Sequence, residues 1–133
     1  MAEAVRRVLF ICIGNACRSQ MAEAFFNRHA PEGWEAASAG VTPADEVSSS
    51  TVNAMAEVGQ DISQARTKAL TEEMVRQADK IVVVCGTEAC PVIPEKDLEH
   101  WGVEDPIGQP MAKFRQVRGV IHQKVMGLIS HLA

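Results

Sequence analysis

Tyrosine is absent from this chain of 133 residues, and the remaining aromatic side chains are few: two tryptophans and four phenylalanines. No phenol is therefore available to any site the protein builds. Long apolar runs are absent as well. The longest is a few residues, far from the ~20 that a membrane-spanning helix requires, so no membrane role is expected. Positive charge is in short supply: 13 Lys and Arg face 17 Asp and Glu, for a net charge of −4. No Lys/Arg cluster offsets that balance, and nucleic acid is not an expected partner. A small anion stays admissible, because a local positive field can hold one on a negative whole. The first residues, MAEAVRR, lack the apolar stretch of a secretory signal, and a cytoplasmic location is expected. Cysteine is sparse, with four residues. In a reducing compartment four thiols do not make a disulfide framework, which leaves catalysis, metal binding or redox exchange.

What is present reads as one domain, residues 1–133, with enough chain for a core. Apolar residues at 47% and charged residues at 23% are the balance of an ordinary globular protein. VRRVLFI (5–11) has the near-continuous apolar character of a buried parallel strand. SQMAEAFFNRH (19–29) is built of helix formers and stops before Pro31 and Gly33. WEAASAG (34–40) is a weaker strand. STVNAMAEV (50–58) is a helix closed by Gly59, and Thr71 caps a helix over EEMVRQA. KIVVV (80–84) is the clearest strand, and a short one is expected near Trp101. From Met111 onward, Phe114, Val117, Ile121, Val125, Leu128 and Leu132 recur at helical spacing on one face. Strands alternating with helices imply an α/β fold: a single three-layer domain whose four-stranded parallel sheet carries helices on both faces. Ligands of such sheets bind beyond the carboxyl ends of the strands. Cys12 and Cys85 both follow strands there.

The stretch FICIGNACRSQMAEA (10–24) carries the chemistry. An apolar strand, a C-x5-R-S loop and a helix follow one another. Loop N–H groups turned inward, with the helix N-terminus behind them, make a nest for a tetrahedral oxyanion. The nest comprises Ile13, Gly14, Asn15, Ala16, Cys17 and Arg18. Gly14 is expected to supply a backbone conformation closed to other residues. Asn15 tolerates a left-handed conformation and can tie the loop together, and Arg18 offers a planar charged fork. Cys12 lies at the floor of this cup, its thiolate stabilised by loop N–H groups and the Ser19 hydroxyl, which makes it a nucleophile. Cys17 is expected to point into the core. The residues alone leave Cys85 and Cys90 open between buried packing and a metal pair. A four-cysteine zinc site with Cys12 and Cys17 would leave the oxyanion loop without purpose, and no metal is expected.

CIGNACRS resembles the oxyanion loop of the low-molecular-weight protein tyrosine phosphatase superfamily. Within it, CRSQMAE followed by SAG (38–40) is similar to the thioredoxin-coupled arsenate reductases. The similarity extends through DIS (61–63), CPVIP (90–94), EHWG (99–102), DP (105–106) and FRQVR (114–118), nearly the whole chain. The resemblance implies that Cys12 attacks arsenic, that Arg18 and Ser19 serve the same loop, and that Asp105, otherwise an ordinary Asp-Pro turn, is the general acid. It implies that Cys85 and Cys90 form a redox disulfide, relayed from Cys12 and reduced by thioredoxin, with no organic cofactor. Phosphate and sulfate are expected mimics of arsenate, and a monomer is expected. The segment GTEA between the two cysteines is shorter than the family's. Relatives with a phosphotyrosine site follow Asp-Pro with tyrosine; Ile107 and Gly108 stand here instead, which suits a small inorganic oxyanion. Some relatives bind potassium beside the loop. Asn15, Glu23 and Ser38 match those positions, but Lys68 replaces the acidic ligand, and its ammonium is expected to stand in for the cation, pairing with Glu23 and bracing Asn15. Two other readings remain: a phosphomonoester hydrolase acting through a Cys12 phosphocysteine, and a non-catalytic oxyanion-binding or redox-sensing module. His29, His100, His122 and His131 form no ligand set.

Overall fold

β-Branched and large apolar residues place the first strand, β1 (Arg6–Cys12), at the centre of the molecule, where everything from Val8 onward is buried. The computed structural model describes residues 5–85 and 98–132. After β1 come α1 (Arg18–His29), β2 (Trp34–Gly40), α2 (Ser49–Ala56), α3 (Glu72–Gln77), β3 (Lys80–Val83), β4 (Leu98–His100) and α4 (Met111–Leu132). The sheet order is β2-β1-β3-β4, with every pair parallel. The expected three-layer α/β sheet is therefore the observed one.

Alternation along β1 divides the core between the two faces. Val8 and Phe10 point toward α1, α2 and α4 and meet Met21, Phe26, Met55, Phe114 and Ile121. Phe10 lies edge-on to Phe26, with centroids 6.1 Å apart, and tilted against Trp101 at 5.5 Å. Leu9 and Ile11 point the other way, toward Ala78 and the short helix α3. Each fully buried side chain of this size is worth about 1.5–3 kcal/mol by removal from water, so β1 is anchored from both sides. The apolar face read along α4 is the one that packs: Phe114, Val117, Ile121, Val125 and Leu128 are all buried.

Local signals account for the element ends. Thr71 Oγ1 accepts the Met74 N–H at the start of α3, and Ser48 caps α2 by accepting from Thr51. The helix expected over 50–58 ends at Ala56, because Val58 and Gly59 donate back three residues in a tight turn and Gly59 has φ +80°. Val84, expected within the third strand, falls just past it while its N–H still donates to the Ile11 carbonyl at 2.8 Å. His122 is exposed, but its ring stacks on Phe25 at 4.4 Å. Among the described residues no helix is long and apolar enough to cross a membrane.

The chain leaves β1 toward β2 on one side and later returns to β3 on the other. The carboxyl end of β1 is thus the point where strand order reverses, the place where an α/β sheet leaves a crevice. The loop after Cys12 occupies it.

Candidate active site

The loop between β1 and α1 is held from outside by its carbonyls. The N–H groups of Val41, Thr42, Ala44 and Ser48 donate to the carbonyls of Cys12, Ile13, Gly14 and Ala16, at 3.1, 2.9, 2.9 and 3.0 Å. In a planar trans peptide the carbonyl and the next N–H point in opposite directions. Turning these carbonyls outward therefore turns the N–H groups of Ile13, Gly14, Asn15 and Cys17 inward. The Asn15 N–H lies 3.3 Å from the Cys12 sulfur, on the inner side as that geometry demands. The sulfur also lies 2.8 Å from Ser19 Oγ, in the first turn of α1. Cys12 is 2% exposed. Inward amides and a helix N-terminus are the surroundings that suit an oxyanion above the sulfur.

Asn15, not Gly14, adopts the left-handed conformation. Its φ is +52°, the one positive value at a non-glycine among the described residues. Gly14 has no such backbone, and a Cβ there would meet Ala44 Cβ at an ordinary 3.8 Å. The expectation for Gly14 is corrected on this point. Asn15 can hold the strained conformation because its buried side chain is fully bonded: Nδ2 donates to Ser19 Oγ at 2.7 Å and Ser38 Oγ at 2.9 Å, while Oδ1 accepts from the Lys68 N–H at 2.9 Å and from Gln20 Nε2 at 3.1 Å.

Arg18 is 3% exposed and closes the far side of the cup. Its Nη1 donates to the Val103 carbonyl at 2.8 Å, and its Nη2 lies 3.8 Å from Asp105 Oδ2. Asp105 Oδ1 accepts the Ile107 N–H at 3.0 Å, which sets the carboxylate in a turn at the mouth. A cavity of about 230 Å³ results, floored by Cys12 and Arg18 and walled by Ala44, Asp105 and Ile107. Cys17 contributes its N–H to the cup but its sulfur packs in the core cluster with Met21 and Phe25. Burial pushes that thiol up to about 12, against a smaller opposing effect of the neighbouring Thr51 hydroxyl.

Cys85 lies two residues past β3, the strand next to β1. It is 1% exposed, its Sγ–H points to the Ile11 carbonyl at 4.0 Å, and it shares an apolar cluster with Cys12. Cys90 lies outside the described residues. Ser38 Oγ donates to Glu23 Oε1 at 2.7 Å, and Lys68 Nζ sits 3.6 Å from the same oxygen and 3.5 Å from Ser38 Oγ. The Lys68 ammonium thus meets Glu23, as expected, but Asn15 is reached by the Lys68 main-chain N–H rather than by the ammonium. Among the described residues no group of three or more His, Cys, Asp or Glu could hold a metal ion.

Gln20 and Gly40 fall inside the stretches CRSQMAE and SAG, yet neither they nor Val103 has a role that the sequence assigns. Gln20 donates to Asn15, Val103 anchors Arg18 through its carbonyl, and Gly40 lies beneath the loop. A Cβ on Gly40 would stand 2.7 Å from the Ile13 carbonyl oxygen and 2.9 Å from the Asn15 nitrogen. Only the parallel register that sets Gly40 opposite Cys12 brings it there.

Comparison with known proteins adds a context to this geometry. The family model described as low molecular weight phosphotyrosine protein phosphatase matches residues 7–133. A protein named arsenate reductase 2, from Staphylococcus saprophyticus, is 40% identical over 123 residues, covering 90% of this chain and 93% of its own. A solved structure described as an arsenate reductase in the phosphate binding state superposes with a TM-score of 0.86 at 30% identity, covering 97% of this chain and all of its own. A thioredoxin-dependent arsenate reductase of Corynebacterium glutamicum superposes with a TM-score of 0.76 at 29% identity, covering 97% of this chain and 62% of that one.

Proposed function

We propose that this chain, which belongs to the low molecular weight phosphotyrosine protein phosphatase family, reduces arsenate to arsenite. The observation that carries the reading is a second buried thiol, Cys85, two residues past the strand paired with the one that ends in Cys12. Hydrolysis needs one sulfur; a two-electron reduction needs more. Relatives named as arsenate reductases support the same choice.

In this reading arsenate enters the cup with its oxygens on the loop N–H groups and on Arg18. The Cys12 thiolate attacks arsenic, and one arsenate oxygen leaves as water after taking a proton from Asp105. Cys85, as thiolate, then attacks the Cys12 sulfur. The electron pair of the sulfur–arsenic bond stays on arsenic, which departs as arsenite, and a Cys12–Cys85 disulfide forms. Cys90 attacks Cys85, frees Cys12 and leaves a Cys85–Cys90 disulfide. Thioredoxin returns two electrons by thiol–disulfide exchange, a donor supported by the thioredoxin-dependent relative. Ser19 steadies the Cys12 thiolate. Ala44 and Ile107 wall a small mouth without an aromatic ring, which suits an inorganic oxyanion. Lys68 stands in for a loop-bracing cation: its charge sits against Glu23, which holds Ser38, which accepts from Asn15.

The second reading is hydrolysis of phosphomonoesters through a phosphocysteine at Cys12. Cys12, Arg18, Ser19 and Asp105 already form a complete set for it, and weak phosphatase activity is expected of the reductase too. One experiment separates the two. Arsenate reduction with thioredoxin and phosphoester hydrolysis are assayed for the wild type and for Cys12→Ser, Cys85→Ser and Cys90→Ser. The reductase loses arsenate turnover in all three and phosphatase activity chiefly in the first. Arsenate turnover surviving in Cys85→Ser and Cys90→Ser would overturn the relay.

A further inference from the structure

Of the five carbonyls from Cys12 to Ala16, segment 41–48 anchors four. The one it leaves is that of Asn15. Gln20, in the first turn of α1, takes it: Gln20 Nε2 donates to the Asn15 carbonyl at 3.2 Å, to Asn15 Oδ1 at 3.1 Å and to the Arg66 carbonyl at 2.9 Å. A glutamine only 2% exposed must satisfy its amide inside the protein. Here two hydrogens serve three acceptors, so one is shared between the two oxygens of the same asparagine.

That sharing has a mechanical result. Asn15 carries the loop's positive φ, a conformation that L-residues seldom adopt. A residue under such strain relaxes most simply by rotating the peptide that follows it. Rotation of the Asn15–Ala16 peptide would carry the Ala16 N–H out of the cup. Holding the Asn15 carbonyl and Oδ1 to one nitrogen resists that rotation. The bond to Arg66 fixes the same nitrogen to the segment whose next residues include Lys68, itself bonded through its N–H to Asn15 Oδ1.

We propose that Gln20 is a positioning residue of the oxyanion cup, pinning the Asn15–Ala16 peptide so that the Ala16 N–H faces the bound anion. The proposal rests on reading the loop as an oxyanion site and adds to it a side chain outside the C-x5-R-S motif. Inorganic phosphate is the probe. Gln20→Met keeps the length and loses the donor; Gln20→Asn keeps the amide but falls a carbon short. Loss of one hydrogen bond to a charged ligand predicts phosphate binding weaker by about tenfold in Gln20→Met, with arsenate KM rising by a similar factor and kcat changing less. Gln20→Asn shows the same trend. A purely structural glutamine would lower Tm and leave phosphate affinity at 25 °C unchanged; that result, in either folded variant, overturns the proposal. The wild type gives an independent reading: in ¹⁵N-labelled protein, phosphate should shift the Ala16 amide and the Gln20 side-chain NH₂ together, and a Gln20 NH₂ that does not respond overturns it as well. Wild-type protein that fails to bind phosphate would instead remove the oxyanion reading itself.

Discussion

Replacing Gly40 by alanine adds one methyl group on the second strand and should cripple a site whose named residues are all intact. The added Cβ would stand 2.7 Å from the Ile13 carbonyl oxygen, 2.9 Å from the Asn15 nitrogen and 2.9 Å from the Gly14 carbonyl carbon. All three are backbone atoms, so no side chain can swing aside. Ordinary contact begins at 3.4 Å, and the loop must retreat by about 0.7 Å. Gly40 cannot give way instead, because its N–H donates to the Lys68 carbonyl and its carbonyl accepts from Leu70. Forcing an extra methyl into packed surroundings costs about 1–3 kcal/mol, a fall in Tm of roughly 3–15 °C for a chain of this length. Displacing the loop of Cys12, the proposed nucleophile, by most of an ångström costs on the order of 10²-fold in kcat/KM. The assay is steady-state turnover at 25 °C, well below the melting transition, beside a thermal melt. Gly119→Ala is the matched control: it lies on the exposed side of α4 with nothing within 4 Å of the new Cβ, and should gain about 1 kcal/mol of stability with unchanged activity. A Gly40→Ala protein with turnover within about threefold of wild type and an unchanged Tm would show that the loop is not braced from below.

Three further outcomes follow from other contacts. Hydrogen bonds from Arg115 and Arg118 hold the Glu57 carboxyl down to about 2, against an ordinary value of 4.5; its contribution is therefore complete above 4.5 and lost as pH falls toward 2, so the stability gap between wild type and Glu57→Gln, read by urea unfolding, should close across that window, and a gap equal at pH 7 and pH 2 would refute the tie between α2 and α4. Burial keeps the Cys17 thiol protonated, up to about 12, so iodoacetamide at pH 8 should leave Cys17 unlabelled in the folded protein by peptide mapping, and Cys17→Ala should keep turnover while losing about 1–2 kcal/mol of stability to the small cavity. Lys68→Met removes a partly exposed ion pair and should cost less than about 1 kcal/mol, yet make turnover responsive to potassium; wild-type turnover that is itself stimulated by potassium would overturn the role given to this ammonium.

Much of the frame was legible in the chain because it follows local rules. The apolar run of β1, the Thr71 cap and the spacing from Phe114 to Leu128 each declare an element without reference to anything distant. The strand–loop–helix geometry around C-x5-R-S is legible for the same reason: the three pieces are contiguous in the chain. Contacts across the sheet were not legible in that way. Gly40 matters because the register sets it opposite Cys12, and register is a property of packing. Gln20 reads as one more helix former; only the fold turns it inward onto Asn15. The choice between Gly14 and Asn15 for the left-handed position went to the residue with bonding partners, since the free rotation of glycine gave no advantage where a fully satisfied amide could hold the strain. Lys68 was placed near Glu23 by family likeness, but which of its two nitrogens meets Asn15 depended on the path of the chain through 66–70.

The outward-turned carbonyls of residues 12–16 bear on how such a protein can change. The groups left facing an anion are then mostly peptide N–H groups, and a point mutation replaces side chains while leaving peptide groups in place. Under the proposed function, affinity for a tetrahedral anion is in this sense protected from single codon changes other than those that bend the loop. The sulfurs enjoy no such protection. Each of Cys85 and Cys90 is one nucleotide away from serine, and under the proposed relay either change would leave a site that still captures its anion and has lost the route for electrons. A lineage carrying this loop could therefore pass between reduction and hydrolysis in single steps while its anion site stayed as it was.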